Sequence, residues 1–204
     1  MDTPLKFPLI VLATQNAHKL VELRKLFGIP QTLLRAASDY LGAPDVEENG
    51  STFVENALIK ARAICDFTGE WAVADDSGLE VDSLNGEPGI FSARYAGVHG
   101  RDDDNNRKLL EKMATLSSPR TAHFTCAMAL VSPTGQEYTA RGLCPGVILR
   151  EGRGQNGFGY DPLFLPDGYA QTFAELPTEV KCLFSHRAVA AAKMRVIMES
   201  LFKI

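Results

Sequence analysis

Asp75 and Asp76 stand side by side in VADDSGLEV, residues 73 to 81. Adjacent carboxylates repel each other, and burial raises the cost of keeping both ionised. A divalent cation would offset that repulsion. Mg2+ takes hard oxygen ligands, usually one or two carboxylates, and fills its shell with water and phosphate oxygens. Glu47 and Glu48, in the loop stretch PDVEENG, offer oxygens of the same kind. A carboxylate not bound directly to the metal could take a proton from an attacking water. The chemistry these residues allow is therefore metal-assisted attack of water on a phosphorylated ligand.

Two helix starts carry cations where the helix dipole disfavours them. The first is TQNAHK, comprising Thr14, Gln15, Asn16, Ala17, His18 and Lys19, at a strand-to-helix junction. Helix-start amides form a natural phosphate cradle, and a bound anion would remove the conflict at Lys19. The second is SHR, with His186 and Arg187 after Ser185 and Lys181 just upstream. Each start taken alone is equally explained by solvated surface charge. Together, in a chain of net charge −4, they point to contacts with an electron-rich ligand.

The stretch GRGQNGFGYDP, residues 152 to 162, contains G-x-G-x-x-G. A dinucleotide fingerprint needs a helix opening at those glycines, and Pro162 opposes one. The stretch reads better as a Gly-rich loop presenting Phe158, Gly159, Tyr160 and Asp161 to a base. An aromatic ring can stack on a purine, and the acid can orient hydrogen bonds. Phe158 and Tyr160 are also compatible with plain core positions. No G-x-S-x-G elbow and no Walker loop is present in the sequence, which argues against those two enzyme classes.

These residues must be held by a fold, and 204 residues suffice for one domain with a cleft. The acidic balance provides no basic surface for nucleic acid or an anionic membrane. The run PLIVLA is too short to span a bilayer or to form a signal peptide. Cys65, Cys126, Cys144 and Cys182 lie far apart and read as reduced, buried thiols of a cytoplasmic protein.

Strands are expected at FPLIVLAT, QTLLRAA, WAVAD, LEVDSL, AHFTCAMALVS, QEYTARGLCPGVILRE and FGYDPLFL. The twin aspartates then fall where one strand ends. Helices are expected at NAHKLVELRKLFG, capped by Asn16, and at FVENALIKARAICDF, with a Thr52–Glu55 capping box. Two more are expected at DDDNNRKLLEKMATL, whose acids suit its positive end, and at SHRAVAAAKMRVIMESLF, capped by Ser185. Interleaved helices and hairpins predict an α/β fold with a mixed sheet.

In order along the chain, LATQNAHKLVEL, EENGSTFVENALIKA, ADDSGLEVDSLNGEPGIFSARYAG, GFGYDPLF and SHRAVA resemble the inosine triphosphate pyrophosphatase family. The resemblance runs from about Ile10 to Ala192. It implies an elongated mixed β-sheet flanked by helices, two lobes with an active-site cleft between them, and a homodimer. It also implies Mg2+-dependent hydrolysis of ITP, dITP and XTP to the monophosphate and pyrophosphate. On this reading Thr14 to Lys19 hold the triphosphate, and Asp76 is proton acceptor and metal ligand. Ser77 touches substrate, while Phe158 to Asp161, Lys181, His186 and Arg187 bind the nucleotide, chiefly its base. Glu47 or Glu48 completes the metal site. Gln15 departs from the small residues frequent at its position, and Cys182, Leu183 and Phe184 make an apolar loop between Lys181 and Ser185.

Overall fold

The structure, a computed structural model, describes residues 8–116 and 120–203. Phe7, the first residue of the expected opening strand, lies outside them. Strand β1 (Ile10–Leu12) is fully buried and pairs in parallel with β2 (Leu34–Ala36) and β3 (Trp71–Val81). Parallel neighbours need crossovers. Helix α1 (Ala17–Phe27) leads from β1 to β2, and α2 (Phe53–Thr68) from β2 to β3.

Helix α3 (Asp102–Lys112) precedes β4 (Thr121–Val131) and β5 (Glu137–Ile148). Then come β6 (Phe164–Pro166), α4 (Thr178–Phe184) and α5 (His186–Phe202). The sheet order is β2-β1-β3-β4-β5-β6, and β5 and β6 are antiparallel, so the sheet is mixed as expected.

The helix ends follow the local chemistry. Asn16 accepts from the His18 and Lys19 amides, and Gly28 closes α1 with φ 61°, a conformation glycine adopts without strain. Thr52 caps α2 by accepting from the Glu55 amide. The Glu55 carboxylate reaches back to the Ser51 amide and hydroxyl, both at 2.7 Å, one residue before the position a capping box would use.

Two expectations are corrected. The twin aspartates do not mark a strand end, because β3 runs unbroken from Trp71 to Val81. Both of its faces are covered around Asp75 and Asp76, so the period-2 pattern that usually reveals a strand is absent there. The segment around Cys182 to Phe184 is not a loop but helix α4, which Pro177 starts and Ser185 ends.

The chain forms two compact units, each discontinuous in sequence. The first takes the residues up to Asp76, Ala127–Arg141 and those from Val189 onward. Its core is rich in alanine: Ala57 and Ala61 of α2 pack with Ala72 and Ala74 of β3 and with Ile64 and Cys65. Small side chains bring the helix backbone close to the sheet. The second unit, Ser77–Cys126 and Gly142–Ala188, has a core of larger residues, including Phe124, Phe164 and Phe173. Their rings contact one another with centroids 4.7 to 5.8 Å apart. Among the described residues no helix is long and apolar enough to cross a membrane.

Candidate active site

In the first unit, alternation along β3 sends Asp76 to the same face as Ala72 and Ala74, and Asp75 to the other. Each carboxylate is buried and meets its own lysine. Lys19 of α1 lies 3.3 Å from Asp75 Oδ2. Lys60 of α2 lies 3.7 Å from Asp76 Oδ1, donates to the Asp75 carbonyl at 2.7 Å, and pairs with Glu48 at 2.7 Å. Two ammonium groups therefore compensate the twin aspartates in the protein itself.

The close approach of α2 explains how Lys60 gets there. Asn56 and Lys60 are four residues apart and share a stripe beside Ala57, Ala61 and Ile64. Asn56 is fully buried and donates to Asp76 Oδ2 at 3.1 Å, while its Oδ1 accepts the Gly50 amide at 2.8 Å. A Cβ on Gly50 would stand 2.7 Å from that oxygen and 2.8 Å from Glu55 Cβ. Gly50→Ala should therefore displace Asn56 and cost about 1–3 kcal/mol, as overpacking does. Urea denaturation checks this, and an unchanged midpoint would contradict the packing argument.

Burial raises the pKa of Asp76, with Lys60 and Lys19 opposing the rise and Glu48 adding to it. For Lys60, burial is again the largest influence and favours the neutral amine. Asp76, Glu48 and Asp75 together outweigh it, and the pKa is raised. The cluster is thus a charged ammonium holding two carboxylates, one of them a strengthened proton acceptor.

Of the two loop glutamates, the structure brings Glu48 to Lys60 and Asp76 and leaves Glu47 exposed. Asp76 and Glu48 are the hard, anionic oxygen donors that Mg2+ takes, and Mg2+ commonly needs only one or two of them when phosphates supply the rest. The donor chemistry fits that ion. Among the described residues no group of three or more His, Cys, Asp or Glu side chains is arranged to hold a metal.

At the start of α1, Thr14 is half-buried, while Gln15, Asn16, Ala17 and His18 are exposed. Two amides expected to face a phosphate are already engaged, since Asn16 Oδ1 accepts from His18 at 2.9 Å and Lys19 at 3.1 Å. An asparagine cap competes with a ligand for the same donors. What this junction offers an anion is accordingly the dipole end and the Lys19 ammonium more than a ring of open amides.

The second unit gathers the other set. Lys181 and Asp161 form a buried pair at 2.7 Å, and Asp161 Oδ2 also accepts the Phe158 amide at 3.0 Å. The Phe158 ring has Lys181 Nζ 5.0 Å and Arg187 Cζ 5.8 Å from its centroid, both in cation–π range. Arg187, 1% exposed, donates to Ser77 Oγ at 2.7 Å. His186 is buried and stacks on Phe124 at 4.7 Å. An aromatic face flanked by two cations suits a flat, electron-rich ligand.

Tyr160 takes the core alternative. Its ring is 3% exposed among the large apolar residues, its hydroxyl donates to the Ser92 carbonyl at 3.0 Å, and burial raises its pKa. Phe158 is left as the half-buried aromatic of that loop. Gly159 sits at φ 63°, and a Cβ on Gly157 would collide with Asp161 Oδ2, so these two glycines are structural requirements.

Sequence reasoning missed Asn56, Lys60 and Gly50. The signal was available in part: a polar residue and a lysine four apart on the alanine-bearing side of an amphipathic helix belong to its buried face. That they would meet Asp76 was not readable, because it depends on how near the helix comes to the sheet.

Comparison with known proteins finds similar sequences and structures over nearly the whole chain. The sequence model of the Ham1 family matches residues 10–197. The dITP/XTP pyrophosphatase of Desulforamulus reducens is 48% identical over 194 residues, covering 95% of this chain and 96% of its own. The structure of a HAM1 protein from Coxiella burnetii is similar at TM-score 0.85 and 42% identity, covering 94% of this chain and 98% of that one. The crystal structure of a nucleoside-triphosphatase, or dITP/XTP pyrophosphatase, from Mycobacterium abscessus is similar at TM-score 0.74 and 44% identity, covering 91% and 96%.

Proposed function

The chain belongs to the Ham1 family, and on that premise we propose that it hydrolyses the non-canonical purine nucleotides ITP, dITP and XTP to the monophosphate and pyrophosphate. The observation that carries the mechanism is the Lys60 cluster, which holds a buried Asp76 of raised pKa beside Glu48.

Asp76 takes the proton of the attacking water, which adds in line at the α-phosphorus. Lys60 fixes the carboxylate and Asn56 sets its rotation through the 3.1 Å hydrogen bond. Lys19 and the dipole end of α1 take the negative charge that develops on the departing pyrophosphate. Asp76 and Glu48 would hold Mg2+, and the ion would supply charge neutralisation for the phosphates. The reaction requires little covalent chemistry from the protein, so positioning and electrostatics carry it.

The base-binding role falls to Phe158, Lys181, His186 and Arg187, with Ser77 held by Arg187. Hypoxanthine and xanthine share a 6-oxo acceptor, which side-chain donors can satisfy. Adenine presents an amino group there and would face those donors with a donor of its own, leaving buried groups unpaired. The resemblance also supports a homodimer, and four free cysteines suit a reducing, cytoplasmic setting.

Incubation with Mg2+ and ITP, dITP, XTP, ATP and GTP tests the reading. ITP, dITP and XTP should release pyrophosphate with kcat/KM about 10²-fold or more above ATP. Release of orthophosphate, or binding without turnover, would overturn it.

A further inference from the structure

We propose that Asp102 and Asn106 of α3 are positioning residues for the nucleotide base, because they hold the Gly159 peptide from both sides and so aim the Phe158 face. The Gly159 amide donates to Asp102 Oδ2 at 2.6 Å, and the Gly159 carbonyl accepts from Asn106 Nδ2 at 2.9 Å. The two side chains are four residues apart and rise from one face of the helix. An acceptor and a donor at that spacing match the two polar groups of a single residue.

The helix dipole by itself accounts for acids at the start of α3, and residue type does not separate Asp102 from its neighbours. In the structure, the dipole argument covers Asp103 equally well, yet Asp102 alone of that pair is seen to reach the loop. The orientation of Asn106 is set by its partner: turned over, its oxygen would face the Gly159 carbonyl, acceptor to acceptor. Its Oδ1 is buried without a hydrogen-bond partner, so the carboxamide is held here for its donor.

The helix bearing the pair is itself fixed. Asn105, 2% exposed, accepts from the Ala96 amide at 2.7 Å and donates to the Ala93 carbonyl at 3.3 Å. The same segment anchors the loop through the Tyr160 hydroxyl on the Ser92 carbonyl, and it reaches β3 through Ser92 Oγ, which accepts the Leu79 amide at 2.9 Å. Gly159 at φ 63° has no side chain to lock it, so these two hydrogen bonds, with that of the Phe158 amide to Asp161 Oδ2, set where Phe158 stands.

This inference rests on the base-binding role proposed above for Phe158, and its test separates the two. ITP hydrolysis is measured for wild type, D102A, D102N, N106D and D103A, with inorganic tripolyphosphate as a competitive inhibitor that has no base. D102A and N106D should each raise KM for ITP roughly tenfold, with kcat within about twofold and the tripolyphosphate inhibition constant unchanged. D102N keeps an acceptor oxygen and should fall between wild type and D102A. Asp103, exposed in the same helix turn, should be replaceable without effect on either constant.

Unchanged KM in both variants would overturn the clamp, and so would a parallel rise in KM and in the tripolyphosphate constant, which would signal general loss of structure. Should N106D fail to fold, D102A against D103A decides the matter. An inactive wild type would remove the nucleotide reading itself; an active wild type with unaffected variants removes only the clamp.

Discussion

Asp76→Asn lowers kcat for ITP by about 10³-fold and leaves KM nearly unchanged, the loss expected when a general base is removed from an otherwise intact site. The carboxamide fills the same volume, and its single oxygen can still accept from Asn56 Nδ2. What disappears is the negative charge and the basicity that burial has raised. Neither contributes much to holding the base, whose proposed contacts lie in residues of the second unit. Steady-state kinetics with ITP and Mg2+ measure both constants. A kcat within a few fold of wild type would remove Asp76 from its catalytic role, and a KM that rose while kcat held would make it a binding residue instead.

Lys60→Met destabilises the protein by about 3 kcal/mol, the lower end of what removing one partner of a buried ion pair costs. Methionine nearly matches the volume of the lysine stem, so the change isolates the charge. With the ammonium gone, Asp76 loses the positive charge 3.7 Å from its carboxylate, and Glu48 loses its 2.7 Å ion pair to α2. For a chain of this size the melting temperature should drop on the order of 6–12 °C.

The pH dependence follows from the direction of the Asp76 shift. A carboxyl whose folded pKa is raised favours the folded state below that pKa and costs stability once ionised above it. Lys60 opposes the rise, so its removal costs most at neutral pH, and the gap to wild type narrows on acidification as Asp76 takes up a proton. Thermal unfolding at neutral and acidic pH checks both statements. Equal melting temperatures at neutral pH would mean that Lys60 does not compensate the aspartates.

Much of the architecture was legible in the chain itself. Asn16, Gly28, Thr52 and Gly69 bound their helices because capping is decided within a few residues, by a side-chain oxygen at one end and left-handed backbone at the other. The mixed sheet followed from interleaved helices and hairpins, because helical crossovers suit parallel neighbours and tight turns suit antiparallel ones. The unbroken β3 was not legible, because a strand covered on both faces loses its alternation. Nor was α4, where a short apolar run between Lys181 and Ser185 suits a loop as well as two helical turns.

At the candidate site the division is equally physical. Residue type and motif order alone single out Asp76, Lys19, Phe158, Lys181 and Arg187 as candidates, since those properties travel with the sequence. Which charge answers which is a matter of distances across the fold. Only the packed structure pairs Lys19 with Asp75, turns Lys60 toward Asp76 and Glu48, and sends Tyr160 into the core. An alanine face lets one helix lie close enough to a strand for a lysine to reach two carboxylates, and that separation is set by all the side chains between them, which no local pattern records.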